Sequence, residues 1–289
     1  AFKLADAEGN ELSASEGIRV PAGDFSAKIM VKVGQLDSKD FPANKKYAIP
    51  LSITGASNYS LIPSQRSAIL LLNRSILSSV AKVSGGEGIR IKPVGMHTKA
   101  EWTIQMSAIY SSLTRSNLTT AYLSNGTGGE FYTRISSTAG IQVKNGRDGD
   151  DTWTQIPLQA GKWLHITYVH KDKKTTVYVN GKVQKVFENS AITFGENSMI
   201  VVGNSGYRND YLREIRLWDK ALTESEINDY LYLPMDPATP HLISYLPLSK
   251  EMETKDLKAP AGTENVTTKA RIEYVENVKF PADELVIVN

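Results

Sequence analysis

The chain has 289 residues, 41% of them hydrophobic, enough for a buried core and for one large β domain or two ordinary ones. Its 33 basic and 31 acidic residues leave a net charge of +2, which advertises neither nucleic acid nor a membrane surface as a partner. Zero cysteines exclude disulfides, structural thiolate zinc and a cysteine nucleophile, and no apolar run approaches the roughly 18 residues of a membrane helix.

The first segment reads as strands and turns. Val20-Pro21-Ala22-Gly23-Asp24 is turn chemistry, and after it Ala27, Ile29, Val31 and Val33 alternate with Lys28, Met30 and Lys32. Tyr47, Ile49, Leu51 and Ile53 alternate likewise, and Pro50 within that run predicts an edge or a bulge. A third run covers Ala68 to Leu72. Ser78 to Gly88 is small, polar and Gly-rich and reads as a linker, so the chain is expected to divide between about Leu72 and Gly88.

Short strands then recur with turn signals between them: Glu101–Ile109, Thr119–Leu123, Glu130–Ser136, Gly140–Lys144, Trp163–Val169, Thr175–Asn180, Lys182–Phe187, Met199–Gly203 and Tyr211–Asp219. This spacing argues a sandwich or jelly roll rather than alternating β and α. Asn180-Gly181 between two β-rich runs predicts a two-residue hairpin, because both central residues of a type I′ turn need positive φ. Thr223 can cap a helix, Glu226 completes a capping box and Leu222 can staple to Ile227. His241–Leu246 and Ala270–Val275 read as returning strands.

Trp163-x-His165-Ile166, Tyr178-Val179-Asn180-Gly181-Lys182 and Ile215-Arg216-Leu217-Trp218-x-x-Ala221-Leu222-x-x-x-Glu226-Ile227 stand in order along the chain. They resemble the laminin-G-like, concanavalin A-like jelly-roll family. One departure is Tyr211-Leu212-Arg213-Glu214, where the family often has an aromatic residue, one residue, then Gly; a reshaped start of that strand is expected. In the first quarter, Ile18-x-Val20-Pro21-Ala22-Gly23, the Lys28-to-Val33 strand, Tyr47-x-Ile49-Pro50-Leu51-x-Ile53 and the strand near Leu70 resemble part of the domain of unknown function numbered 1735. That domain stands near the N-termini of Bacteroidetes surface lipoproteins. Together the resemblances imply an all-β chain: a partial N-terminal Ig-like β-sandwich over 1–78, then a concanavalin A-like jelly roll with one short helix over 85–289. They also imply an extracytoplasmic, outer-membrane cell-surface location, with the membrane engaged only through a removed N-terminal lipid anchor.

Chemistry has few footholds. Retaining glycoside hydrolysis needs two carboxylates about 5–5.5 Å apart, and the Glu-x-Asp-x-x-Glu strand of laminarinase-type relatives is absent. The histidines (His97, His165, His170, His241) stand apart, and His165 reads as a structural, hydrogen-bonded residue. The Asn145-to-Asp151 loop has oxygen ligands suited to calcium but not EF-hand spacing; a solvated turn is the preferred reading, and no cofactor is expected. Trp102, Trp163 and Trp218 lie in hydrophobic strands and are expected in the core. Trp153, after an acidic turn, reads as exposed.

The Gly203–Tyr211 stretch reads as a long hairpin loop with two tyrosines, an arginine and two amides, a mix that stacks on and hydrogen-bonds to sugars. The candidate ligand-binding residues are therefore Trp153, Asn204, Tyr207, Arg208, Asn209 and Tyr211. The expected function is non-catalytic binding at the cell surface, with a glycan as the first choice of partner. A surface-protein adhesin or scaffold is the alternative, and a hydrolase with unconventional carboxylates the third.

Overall fold

Alternation and turn chemistry dictate β-structure almost throughout, and the computed structural model bears this out. It describes residues 2–13, 17–34, 36–37, 39–42, 45–72, 75–94, 99–114, 118–122, 131–144, 149–188, 192–203 and 206–288. Two compact units divide the chain, Ala1–Asn73 and Arg74–Asn289.

The first unit holds β1 (Phe2–Ala5), β2 (Glu11–Leu12), β3 (Met30–Val33), β4 (Tyr47–Ser52) and β5 (Ser67–Leu72). They form a three-stranded sheet, β2-β1-β3, and a two-stranded ribbon, β4-β5. β4 has one partner among the described residues, so Pro50 sits in an edge strand, where its missing N–H is tolerated.

The second unit begins with β6 (Ile76–Gly85), β7 (Ile89–Ile91), β8 (Trp102–Ile109), β9 (Thr119–Tyr122), β10 (Phe131–Ser136) and β11 (Gly140–Lys144). A short 3-10 turn at Asp150–Thr152 leads to β12 (Trp163–Lys171), β13 (Lys174–Val179), β14 (Lys182–Glu188), β15 (Met199–Val202) and β16 (Tyr207–Trp218). Helix α1 (Glu224–Asp229), β17 (Leu242–Leu246), β18 (Val266–Thr267) and β19 (Arg271–Phe280) complete it. One sheet runs β11-β10-β9-β15-β7-β18; the other runs β14-β13-β12-β8-β16-β6-β19, with β17 also on β16. Their facing sides close one core that includes Ile91, Trp102, Ile104, Phe131, Tyr168 and Leu217.

The expected linker is not one. Ser78 to Gly85 lie in β6, which bonds β16 on one side and β19 on the other, with Val80, Ala81 and Val83 fully buried. Small residues read as flexible in isolation. Here they let a strand pack between two neighbours supplied from more than a hundred residues away.

Local signals held elsewhere. Asn180 and Gly181 have φ of 50° and 76° and join β13 to β14 as a two-residue turn. A Cβ on Gly181 would lie 2.0 Å from Asn228 Oδ1 of α1, so glycine is required by φ and by space together. Thr223 caps α1 in a complete capping box with Glu226. α1 and the chain after it cover the far side of the eight-stranded sheet through a second cluster that includes Tyr178, Trp218, Ile227 and Tyr245. Trp102, Trp163 and Trp218 are buried as expected.

Candidate functional site

The sequence-predicted residues do not share one surface. The expected Gly203–Tyr211 loop is largely strand: β16 starts at Tyr207, and Tyr207 and Arg208 pair with Gly85 and Ser84. Tyr207 is 4% exposed and belongs to the core, its hydroxyl donating to the Val202 carbonyl at 2.6 Å. Its ring lies over Gly203, where a Cβ would come within 2.4 Å. It is therefore not a stacking platform. Asp210 is buried and its carboxylate accepts from Ser111 N (2.9 Å), Ser111 Oγ (3.1 Å) and Arg208 N (3.2 Å), tying down the start of the strand. Arg208 and Asn209 are exposed and Tyr211 is half-buried; Asn204 lies outside the described residues. Tyr207, Arg208, Asn209 and Tyr211 belong to the eight-stranded sheet, whereas Trp153 belongs to the edge of the other.

A different constellation assembles there. Along β10, Phe131, Thr133 and Ile135 are buried, while Tyr132, Arg134 and Ser136 between them are half-buried. Period-two alternation thus sends Tyr132 and Arg134 to the outer face. The register sets Tyr132 opposite Lys144 and Arg134 opposite Gln142 on β11, and paired residues share a face. Trp153 bridges Gln142 on the far side of β11 and continues the row as a half-buried ring.

The turn carrying Trp153 is held from both sheets. Gln142 Nε2 donates to Thr152 Oγ1 at 2.7 Å, and Lys185 Nζ of β14 donates to the carbonyls of Asp151 (2.8 Å) and Trp153 (2.7 Å). The Arg134 guanidinium and Lys144 ammonium lie 5.8 and 5.5 Å from the Tyr132 ring centre. Within this row, buried Gln142 Oε1 and Arg134 Nε have no hydrogen-bond partner. An acceptor and a donor left unmet on one face are unusual, because buried polar atoms are nearly always paired. The sequence signal for these residues was the alternation in Phe131–Ser136; the pairing that gathers them is not local.

Other polar groups are committed to structure. Glu214, in left-handed backbone at φ 56° on a bulge of β16, accepts from Arg216 Nη2 (2.5 Å) and Nε (3.2 Å) and from Tyr245 Oη (3.0 Å). This is the expected reshaped start of the Ile215–Trp218 segment. Arg216 then donates to the carbonyls of Tyr230 and Leu233, anchoring the chain after α1. Glu214 lines an open cleft of about 370 Å³ with Leu77, Met235 and Asn277, but its oxygens are already engaged. His165 bonds Ser107 Oγ at 2.7 Å, and burial, then Arg216 and Arg213, hold its pKa well below the usual imidazole range. His170 accepts from Ile192 N at Nε2, so Nδ1 carries the proton toward Thr175, and burial pushes its pKa down to about 4. Among the described residues no group of three His, Cys, Asp or Glu is placed to hold a metal; residues 145–148 of the expected calcium loop lie outside them.

The laminin-G family model of the concanavalin A-like lectin/glucanases superfamily matches residues 84–228, just over half of the chain. The chain belongs to this superfamily. The match ends inside α1, so β17, β18 and β19 extend the superfamily jelly roll by joining β16, β7 and β6.

Among solved structures, a candidate carbohydrate binding protein from Bacteroides ovatus is 18% identical with a TM-score of 0.56, over 92% of this chain and 77% of that one. A heptameric SAP-like pentraxin from Limulus polyphemus is 14% identical with a TM-score of 0.46, over 69% and 94%. A Trypanosoma rangeli sialidase is 16% identical with a TM-score of 0.40, over 53% and 27%. No curated protein sequence matches the chain. At these identities the likeness is one of fold.

Proposed function

We propose that this chain is a non-catalytic glycan-binding protein whose ligand lies on the outer face of the six-stranded sheet. The observation that carries it is the row Arg134–Gln142–Trp153 beside Tyr132. It joins two half-buried rings to a buried amide oxygen and a guanidinium nitrogen without partners. Pyranose C–H faces stack on flat rings, and a sugar hydroxyl both donates and accepts, the two roles that the unmet acceptor and donor call for. The superfamily and the Bacteroides ovatus neighbour, itself a candidate carbohydrate binder, support this reading.

The absence of turnover is part of the proposal. Two-carboxylate hydrolysis needs its acids on the sugar-facing surface, and no strand of this sheet carries Asp or Glu. No metal is required either. The N-terminal resemblance supports display at the outer-membrane surface on a lipid anchor; no described helix is long and apolar enough to cross a membrane.

The test is a calorimetric titration of glycans against the intact chain, Trp153→Ala and Tyr132→Ala, with a reducing-end assay on the bound sugar. Loss of a stacking ring should weaken binding by about fivefold or more, since a central aromatic contact contributes at least ~1 kcal/mol. Unchanged affinity in both variants would remove the site, and released reducing ends would overturn the non-catalytic assignment.

A further inference from the structure

We propose that Lys185, on the opposite sheet, is a positioning residue of this site: it sets where the Trp153 ring stands without touching the ligand. The inference rests on the glycan-binding reading above and adds a residue on which that surface depends.

Lys185 faces inward, which is unusual for a lysine. It lies on β14, the edge strand of the eight-stranded sheet, and pairs with Val177, which is buried in the core. Paired residues share a face, and so do residues two apart, so Lys185 stands on the same side as buried Phe187. A charge does not stay in an apolar core unanswered, and a long stem lets it leave at an open edge. The Lys185 ammonium does so, 5.1 Å from the centre of the Phe187 ring, and reaches the edge of the six-stranded sheet.

There it meets main chain. Lys185 Nζ donates to the Asp151 carbonyl at 2.8 Å and to the Trp153 carbonyl at 2.7 Å. Both carbonyls fall at the end of the 3-10 turn Asp150–Thr152, where backbone acceptors want partners and a cation is favoured. Charge-assisted bonds of this kind are roughly twice as strong as neutral ones. Because both lead to backbone, they fix the path of the chain through residues 151–153, and with it the direction in which the Trp153 ring leaves.

β11 holds the residues on either side. Gln142 Nε2 donates to Thr152 Oγ1, which donates to the Gly149 carbonyl at 2.6 Å. Thr154 N donates to the Ile141 carbonyl at 2.9 Å, and Ile141 N to Thr154 Oγ1 at 3.0 Å. Thr152 and Thr154 are buried, with half-buried Trp153 between them. The contact from the other sheet falls on Trp153 itself. Without it, the ring loses its fixed place beside Gln142 and Arg134.

The experiment titrates the intact chain with a neutral oligoglucan, an oligoxylan and an oligogalacturonate, and takes the tightest probe to the variants. Lys185→Met keeps the stem over Phe187 and removes the donors; Lys185→Arg restores a cation with several N–H groups. Acrylamide quenching of tryptophan fluorescence is the second readout, and Trp153 dominates it because Trp102, Trp163 and Trp218 are buried. Lys185→Met should weaken binding by about fivefold, no more than Trp153→Ala does, since it acts through that ring. In the Trp153→Ala background it should have no further effect. Quenching should rise in Lys185→Met, return toward wild type in Lys185→Arg, and not rise when Trp153→Phe is also present. Lys185→Gln serves if Lys185→Met folds poorly. Unchanged affinity in Lys185→Met, while Trp153→Ala weakens binding, would show that β11 alone positions the ring; the inference would fall and the glycan reading stand. A rise in quenching that persists with Trp153→Phe would place the loosening at a buried tryptophan, make the lysine's role general to the fold and overturn the inference too. Failure of every probe to bind the wild-type chain would overturn the glycan reading, and with it the role built on it.

Discussion

Substituting Glu214→Gln removes one negative charge from a place where nothing else can replace it. The carboxylate is 2% exposed and lies between Arg216 (2.5 Å) and Arg213 (3.5 Å), with Tyr245 donating to it at 3.0 Å. Gln keeps the shape and one acceptor but leaves two buried guanidinium groups without a counter-charge. Removing one partner of a buried ion pair costs about 3–5 kcal/mol, and the retained carbonyl favours the lower end of that range. For a unit of this size each kcal/mol lowers Tm by about 2–4 °C, so a drop of about 6–12 °C is expected. The assay is calorimetric melting of the intact chain, following the transition of the C-terminal unit. Tyr245→Phe, which removes a donor to Glu214 and the acceptor of Met235 N but no charge, should cost about 1.5–3 kcal/mol. A Glu214→Gln melt within about 2 °C of wild type would show that the carboxylate's charge does not hold the bulge and the chain after α1 together.

Gly181→Ala should destabilise by about 1–3 kcal/mol in denaturant melts, from positive φ and the 2.0 Å approach to Asn228, and the cost should shrink when Asn228→Ala is added. Thr223→Ala should cost about 1 kcal/mol by removing the cap of α1. Acid should weaken the fold through His170. The unfolded chain takes up its proton as pH falls below the ordinary imidazole value of 6.5, whereas the folded one waits until about 4. This contribution is therefore complete above pH 6.5 and is lost as pH falls to 4, at up to about 1.4 kcal/mol per pH unit. His170→Asn should flatten that part of the stability–pH curve, and an equally steep curve would refute the assignment. Addition of a chelator should leave glycan affinity unchanged.

Elements governed by neighbours in sequence were legible without a structure. The Asn180-Gly181 turn depends on two φ angles, and the Thr223 cap on a hydroxyl and a glutamate three residues later. The ordered tryptophan, hairpin and Ile-Arg-Leu-Trp segments likewise carried the fold class. What failed did so for one reason. Ser78 to Gly85 look like a linker because small polar residues encode no partner; β16 and β19 make them a strand. Tyr207 looks like an exposed ring because its surroundings are Gly, Asn and Arg; the core behind Gly203 takes it in. Trp153 and Tyr211 were candidates for one site, but membership of different sheets separates them. Local conformation follows from a few residues in a row. Which strands pair, and so which side chains share a face with unmet hydrogen bonds, depends on contacts closed across the chain, and only the folded sandwich brings Arg134, Gln142 and Trp153 into line.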